Sequence, residues 1–235
     1  MVGTPFDTRL DDLPAVVPVF PLSGVLLLPG GRLPLNVFES RYLTMVLDCL
    51  GAGRVIGMIQ PLSVGGGGGG GGGASPSPAV GDLRSELYAF GCIGRVSSFS
   101  ETDDGRLQIT LAGVCRFRIA RELDPHHGYR RVEADYADFR DDFESPAGPL
   151  VDRKRLLTAL RPYFALHGIT INWKAFDSFS DAAIVTTISM LCPFEPREKQ
   201  ALLESPTVEE RGKLLIALIE MGILEAGGGA GSMRQ

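Results

Sequence analysis

Three histidines, four cysteines and a run of nine glycines are the residues of this 235-residue chain that invite a chemical reading. His126 and His127 are adjacent, between Pro125 and Gly128. Neighbours in sequence do not share a helix face as metal ligands at i and i+4 do, so the spacing predicts a surface loop rather than a ligand pair. His167 precedes Gly168 at an expected helix end, where an imidazole serves the terminal carbonyls. Cys49, Cys92, Cys115 and Cys192 lie far apart with no CxxC pair, which predicts reduced, buried thiols instead of a disulfide framework or zinc site. A phosphate cradle needs a strand before its glycines and a helix opening with GK[ST] after them, whereas Ala74 and Ser75 follow the run 65–73. No serine stands in a GxSxG elbow. The expectation is a chain with no catalytic residue, no cofactor and no metal ligand.

The most motif-like polar set is Phe38, Glu39, Arg41 and Tyr42. Read as function, it is a recognition surface for a partner: the free N–H groups of a helix start and an arginine can hold a carboxylate or an extended peptide. Read as structure, Glu39 complements the helix dipole while Arg41 and Tyr42 lock the helix onto its neighbours. Arg116, Arg118, Arg121, Arg130 and Arg131 could form a basic stripe, but Glu122, Asp124 and Glu133 interleave with them, predicting a solvated mixed face. The net charge is −5, and neither half on either side of Arg140 is basic, which argues against nucleic acid as a partner.

The elements that must position these residues change character along the chain. Residues 1–14 read as a flexible arm broken by Pro5 and Pro14, with neither the basic flank nor the apolar core of a signal peptide, which predicts a cytoplasmic protein. Pro18 and Pro21 predict an irregular or edge strand, Val25 to Leu28 form an apolar run that can supply a further strand, and Pro29-Gly30-Gly31 reverses the chain, so that two or three strands feed one helix. Leu33, Leu35 and Val37 alternate with polar or proline positions as a strand does. Ser40 is an expected cap for a helix carrying Tyr42, Leu43, Val46, Leu47 and Leu50. Further strands are expected over 54–60, 86–100, 107–111, 114–119 and 129–136, with a hairpin at Asp104-Gly105. Residues 65–79 between them read as a disordered Gly-rich insertion. Short strands and one helix over 15–140 predict a small, mostly antiparallel barrel or sandwich.

After a linker at 141–149, rich in proline and glycine, the period becomes helical. Leu156, Leu157, Leu160 and Phe164 form one stripe, a short helix is expected around Trp173, and Ser180 or Asp181 caps a helix with Ile184, Val185 and Ile188. Glu195-Pro196 opens another, and Thr207-Val208-Glu209-Glu210 reads as a capping box before the last. The helical part is expected over 150–225, followed by a flexible tail at 226–235. The longest apolar run there, 214–219, is far short of the roughly 20 residues a membrane span needs.

The runs Pro18-Val19-Phe20-Pro21-Leu22, Leu28-Pro29-Gly30, Leu33 to Glu39 and Arg41-Tyr42 resemble the substrate-binding domain found at the N-terminus of Lon proteases, particularly its free-standing bacterial versions. Gly91-Cys92-Ile93-Gly94, Gly113-Val114, Arg116-Phe117-Arg118, Pro193-Phe194 and Glu198 to Leu203 continue the resemblance in family order. It implies an α+β fold, a PUA-like β pseudo-barrel followed by a C-terminal α-helical bundle. It also implies a non-enzymatic module that binds unfolded or extended polypeptide, or another protein, in connection with proteolysis. Full-length Lon proteases need an ATPase and a serine-lysine peptidase, and no GxxxxGK[ST] occurs in these residues. The alternative is small-molecule or RNA binding through the PUA-like barrel.

Overall fold

The computed structural model describes residues 9–62, 85–144 and 149–229. The expected insertion at 65–79, the first eight residues of the arm and the last six of the tail lie outside the described residues. The chain divides into two compact units, Met1–Ser145 and Pro146–Gln235, and the architecture is α+β.

The first unit holds β1 (Val16–Pro21), β2 (Arg32–Val37), α1 (Ser40–Gly51), β3 (Val55–Pro61), β4 (Leu87–Glu101), β5 (Leu107–His126) and β6 (Tyr129–Asp135). The strands pair in the order β2-β5-β4-β3-β1-β6, and β5 also pairs with β6, so the hydrogen-bonded pairings return on themselves. Only β1 and β3 are parallel. The length of β5 makes the closure possible. Its first part lies between β2 and β4, and its last part, from Arg118, turns to β6. Sequence reading divides β5 in two near Gly113; the structure keeps it continuous and bends it through register shifts opposite Gly94 and Ser98. Val17, Val19, Val55, Ile59, Ile93, Phe117 and Val132 form the core.

Two other expectations change. β1 is not an edge strand, because it has β6 on one side and β3 on the other. Its prolines are tolerated by position: Pro18 precedes the first β3 partner, Val19↔Gly57, and Pro21 lies beyond the last β6 partner, Val19↔Arg130. Val25 to Leu28 belong to no strand, yet Leu26, Leu27 and Leu28 are buried. Their backbone crosses β5 so closely that a Cβ on Gly113 would sit 2.0 Å from the Leu28 carbonyl oxygen. Gly30 N–H donates to Gly113 O at 3.0 Å and Gly113 N–H to Gly31 O at 2.8 Å, which fixes the turn before β2.

A 3-10 helix, Ala137–Phe143, closes the first unit. Asp142 binds it to β5: the carboxylate accepts from Arg116 N–H at 2.8 Å and from Nε and Nη2 along one edge of the Arg116 guanidinium, at 3.0 and 2.8 Å. Arg116 also lies over the Phe139 ring.

The second unit contains α2 (Arg153–Leu166), a 3-10 helix (Trp173–Ser178), α3 (Asp181–Leu191), α4 (Pro196–Glu204) and α5 (Val208–Gly229). Leu156, Leu160, Phe164, Ile184, Val185, Ile188, Leu202, Leu215 and Ile219 are buried in it. Ser180 caps α3 by accepting from Ala183 N–H, and Thr207 accepts from Glu210 N–H at the start of α5. Buried Arg211 reaches back to the Leu202 and Ser205 carbonyls at the end of α4. α5 runs to Gly229, into the glycine-rich stretch read from the sequence as a tail. Among the described residues no helix is long and apolar enough to cross a membrane.

Candidate partner-binding surface at the junction of β2 and α1

β2 pairs with β5 along one edge, and among the described residues no second strand pairs with it. The hydrogen bonds Gly113 N–H to Gly31 O and Thr102 N–H to Arg106 O set the phase of the flanking ladders. With the registers Leu33↔Leu111, Leu35↔Ile109 and Ser100↔Gln108, odd-numbered β2 residues bond to β5. The N–H groups of Arg32 and Asn36 therefore point to the open edge, and Pro34 between them has none to offer. Leu33, Leu35 and Val37 turn inward while Arg32, Pro34 and Asn36 are exposed, the alternation expected from the sequence.

The strand runs straight into α1 through Phe38 and Glu39. Phe38 is 60% exposed, with the Arg106 guanidinium 5.9 Å from its ring centre and Arg106 itself paired to Asp104 at 2.9 Å. Glu39 rather than Ser40 is the N-cap of α1, and its side chain makes no capping bond. Its carboxylate instead accepts from Arg41 at 3.0 Å. Arg41 lies over Tyr42, 4.7 Å from the ring centre, and Tyr42 is stacked on Phe20 of β1 at 4.2 Å. Tyr42 is 2% exposed. Burial raises its hydroxyl pKa against the opposing pull of Arg41. Of the four residues singled out from sequence, Phe38 is exposed, Glu39 and Arg41 are half-buried as an ion pair, and Tyr42 is buried between Arg41 and Phe20 of β1.

The arginines beyond this junction are engaged. Arg116 and Arg130 are buried, not part of a solvated face, and each grips a carboxylate, Asp142 and Glu122 respectively. Arg118 pairs with Asp135 and Asp138, and Arg121 with Glu133. Carboxylates on β5, β6 and the 3-10 helix thus pair with four of the five arginines of the stripe, and Arg131 donates to the Asp124 carbonyl at 3.2 Å.

On the far end of α1 a second polar group forms that sequence spacing does not bring together. Asp48 accepts from Tyr129 OH at 2.9 Å and lies 2.8 Å from His127 Nδ1. These hydrogen bonds, His127 first and Tyr129 second, hold the Asp48 carboxyl below its ordinary pKa. Burial, and then the bond to Asp48, pushes the Tyr129 hydroxyl up. The partners are 79 and 81 residues apart in sequence, so no local pattern could announce them.

The family model of the ATP-dependent protease La (LON) substrate-binding domain matches residues 16–221 of this chain. The chain is 24% identical over 223 residues to the Lon protease of Anaeromyxobacter dehalogenans, covering 93% of this chain and 24% of that protein. Lon protease 2 of Myxococcus xanthus is 23% identical over 214 residues, with 89% and 24% covered. The chain thus spans about a quarter of the length of these curated relatives. Among solved structures, a Lon N-terminal domain protein from Xanthomonas campestris superposes with a TM-score of 0.57 at 25% identity, covering 87% of this chain and 98% of that one. The N-terminal domain of the Mycobacterium avium complex Lon protease gives 0.57 at 15% identity with the same coverage, a likeness of fold alone.

Proposed function

Because the chain belongs to the family of Lon substrate-binding domains, we propose that it is a non-enzymatic binding module that holds extended polypeptide segments at the open edge of β2. The observation that carries this reading is a strand bonded on one side only, which ends in the exposed Phe38. An extended chain added to such an edge gains main-chain hydrogen bonds with little demand on its sequence. Aromatic and arginine side chains are among the types enriched at the cores of binding surfaces. In this reading Phe38 touches the client, while Glu39, Arg41 and Tyr42 fix the angle at which β2 enters α1. The returning strand pairings support a PUA-like pseudo-barrel as the platform.

The test is a titration of the protein with a labelled, permanently unfolded client. Phe38→Ala, with its melting unchanged, should weaken binding by about fivefold or more, the loss of roughly 1 kcal/mol expected for an aromatic contact. Amide exchange at Arg32 and Asn36 should slow when client is bound. Unchanged affinity in Phe38→Ala, with no protection at either amide, refutes this surface.

A further inference from the structure

We propose that Asp48, His126 and His127 form a binding site for one divalent transition-metal ion of the zinc class, held by two imidazoles and a carboxylate. One ligand atom from each residue lies within 4.8 Å of those of the other two. Two elements deliver them. β5 and β6 meet in a hairpin whose last pair is His126↔Tyr129, leaving His127 and Gly128 as the whole loop. Both loop residues have positive φ, 47° and 85°, the pattern of a type I′ turn that suits the twist of the flanking strands. That turn brings the two imidazoles of adjacent residues to a centroid separation of 3.9 Å, an arrangement a helix could not produce. The third donor comes from α1, where Asp48 reaches the hairpin through its contacts to His127 and Tyr129.

Imidazole nitrogens with a carboxylate oxygen are the donor set of zinc and its first-row neighbours, not of calcium or magnesium, which take oxygen ligands. A tetrahedral ion with bonds of about 2.1 Å spaces its donors by about 3.4 Å. His127 Nδ1 and the Asp48 carboxylate, 2.8 Å apart, therefore need to open by about 0.6 Å, and no pair needs to close by more than about 1.4 Å from the 4.8 Å limit, within the reach of side-chain rotation. Tyr129 OH, donating to the same carboxylate, is placed as the outer partner that orients a metal ligand. None of the three ligands is buried, so an ion can enter from solvent and its remaining positions stay open to water or to a donor from a partner. A bound ion would cross-link α1 to the β5–β6 hairpin.

The experiment is calorimetric titration of the full, tag-free chain with zinc chloride in a buffer that does not chelate, paired with melting curves. The expected result is one ion per chain and a melting temperature raised by zinc. His126→Ala and His127→Asn should each weaken binding at least tenfold and abolish the thermal shift. Asparagine also favours the left-handed conformation of position 127, so the second variant keeps the turn. His167→Ala, which removes the histidine of the other unit, should bind like wild type. Cobalt(II) should give visible absorption of a nitrogen- and oxygen-ligated ion without thiolate bands. The proposal is overturned if wild type shows no saturable binding, if both hairpin variants bind as wild type does, or if thiolate bands show that a cysteine is the ligand. In the first of these cases the His127–Asp48 contact serves only to dock the hairpin on α1.

Discussion

The tightest backbone crossing in the first unit makes a quantitative prediction. Gly113→Ala would place a methyl group 2.0 Å from the Leu28 carbonyl oxygen, where ordinary contact begins near 3.4 Å. The Leu28 backbone must therefore retreat by about 1.4 Å, which disturbs the two hydrogen bonds between Gly113 and the Gly30-Gly31 turn. Overpacking of this kind costs about 1–3 kcal/mol, and each weakened hydrogen bond contributes roughly 0.5–1.5 kcal/mol. The substitution also stiffens the unfolded chain, which offsets about 0.4–1 kcal/mol. The balance is a destabilisation of about 3 kcal/mol. Gly51→Ala is the matched control, because its Cβ meets nothing within 4 Å and it closes α1, where alanine is preferred by up to about 1 kcal/mol. The assay is urea unfolding followed by backbone circular dichroism. Fluorescence of Trp173, the chain's only tryptophan, tracks the second unit separately. With a slope of about 2 kcal/mol per molar urea, the Gly113→Ala midpoint should fall by about 1.5 M while that of Gly51→Ala holds or rises. A Gly113→Ala midpoint equal to that of Gly51→Ala would refute the crossing.

Asp142→Ala leaves the buried Arg116 guanidinium without its carboxylate and should cost about 3–5 kcal/mol, read as a lower urea midpoint of the first unit. Burial pushes the thiols of Cys49, Cys115 and Cys192 from an ordinary 9.0 up to about 12. Because the folded pKa is the higher one, stability is fully present below pH 9.0 and falls as pH rises toward about 12, where the unfolded thiols ionise and the folded ones do not. Denaturation midpoints taken across that range check the sign, and a thiol-specific dye should react with these cysteines only after unfolding. Ser180→Ala removes the side-chain acceptor for Ala183 N–H and should lower the stability of the second unit by about 1 kcal/mol, monitored through Trp173.

What sequence could foretell follows the range of the physics behind each feature. The alternation of β2, the Asp104-Gly105 hairpin, the Ser180 cap and the apolar stripes of α2 and α3 depend on residues within one turn or pleat of each other, and all were legible. The interior position of β1 was not, because it depends on which ladder each proline faces, a property of two distant partners. Nor was the single β5: Gly113 reads as a break in a strand, and only the crossing of Leu28 over it reveals that the missing side chain makes room for backbone. At the candidate surface, types alone could not separate a recognition group from a structural one. In the structure Tyr42 is buried in a stack on Phe20 with Arg41 over its ring, and Phe38 is left exposed. Asp48 is silent in the sequence for a related reason, since a lone aspartate on an amphipathic helix gains meaning only from a hairpin tip far along the chain.

Pro34 sharpens the proposed mode of binding. A strand edge with uninterrupted N–H groups recruits any exposed strand, including the same edge of a second copy, and proteins suppress that hazard with proline, charge or brevity. β2 uses all three, being six residues long, opening on Arg32 and carrying Pro34 at its centre on the open side. A client in register with β2 therefore loses the central donor, and its main-chain bonds divide into a part beside Arg32 and a part beside Asn36. Only the second part adjoins Phe38, so a short extended segment with one apolar side chain can use Asn36 and Phe38 together while ignoring the rest of the edge. Binding built from so few contacts is weak, tolerant of sequence and quick to release. It also makes Pro34→Ala informative: restoring the N–H should strengthen client binding and, by the same physics, promote edge-to-edge self-association visible in sedimentation. If neither changes, the β2 edge is not where clients are held.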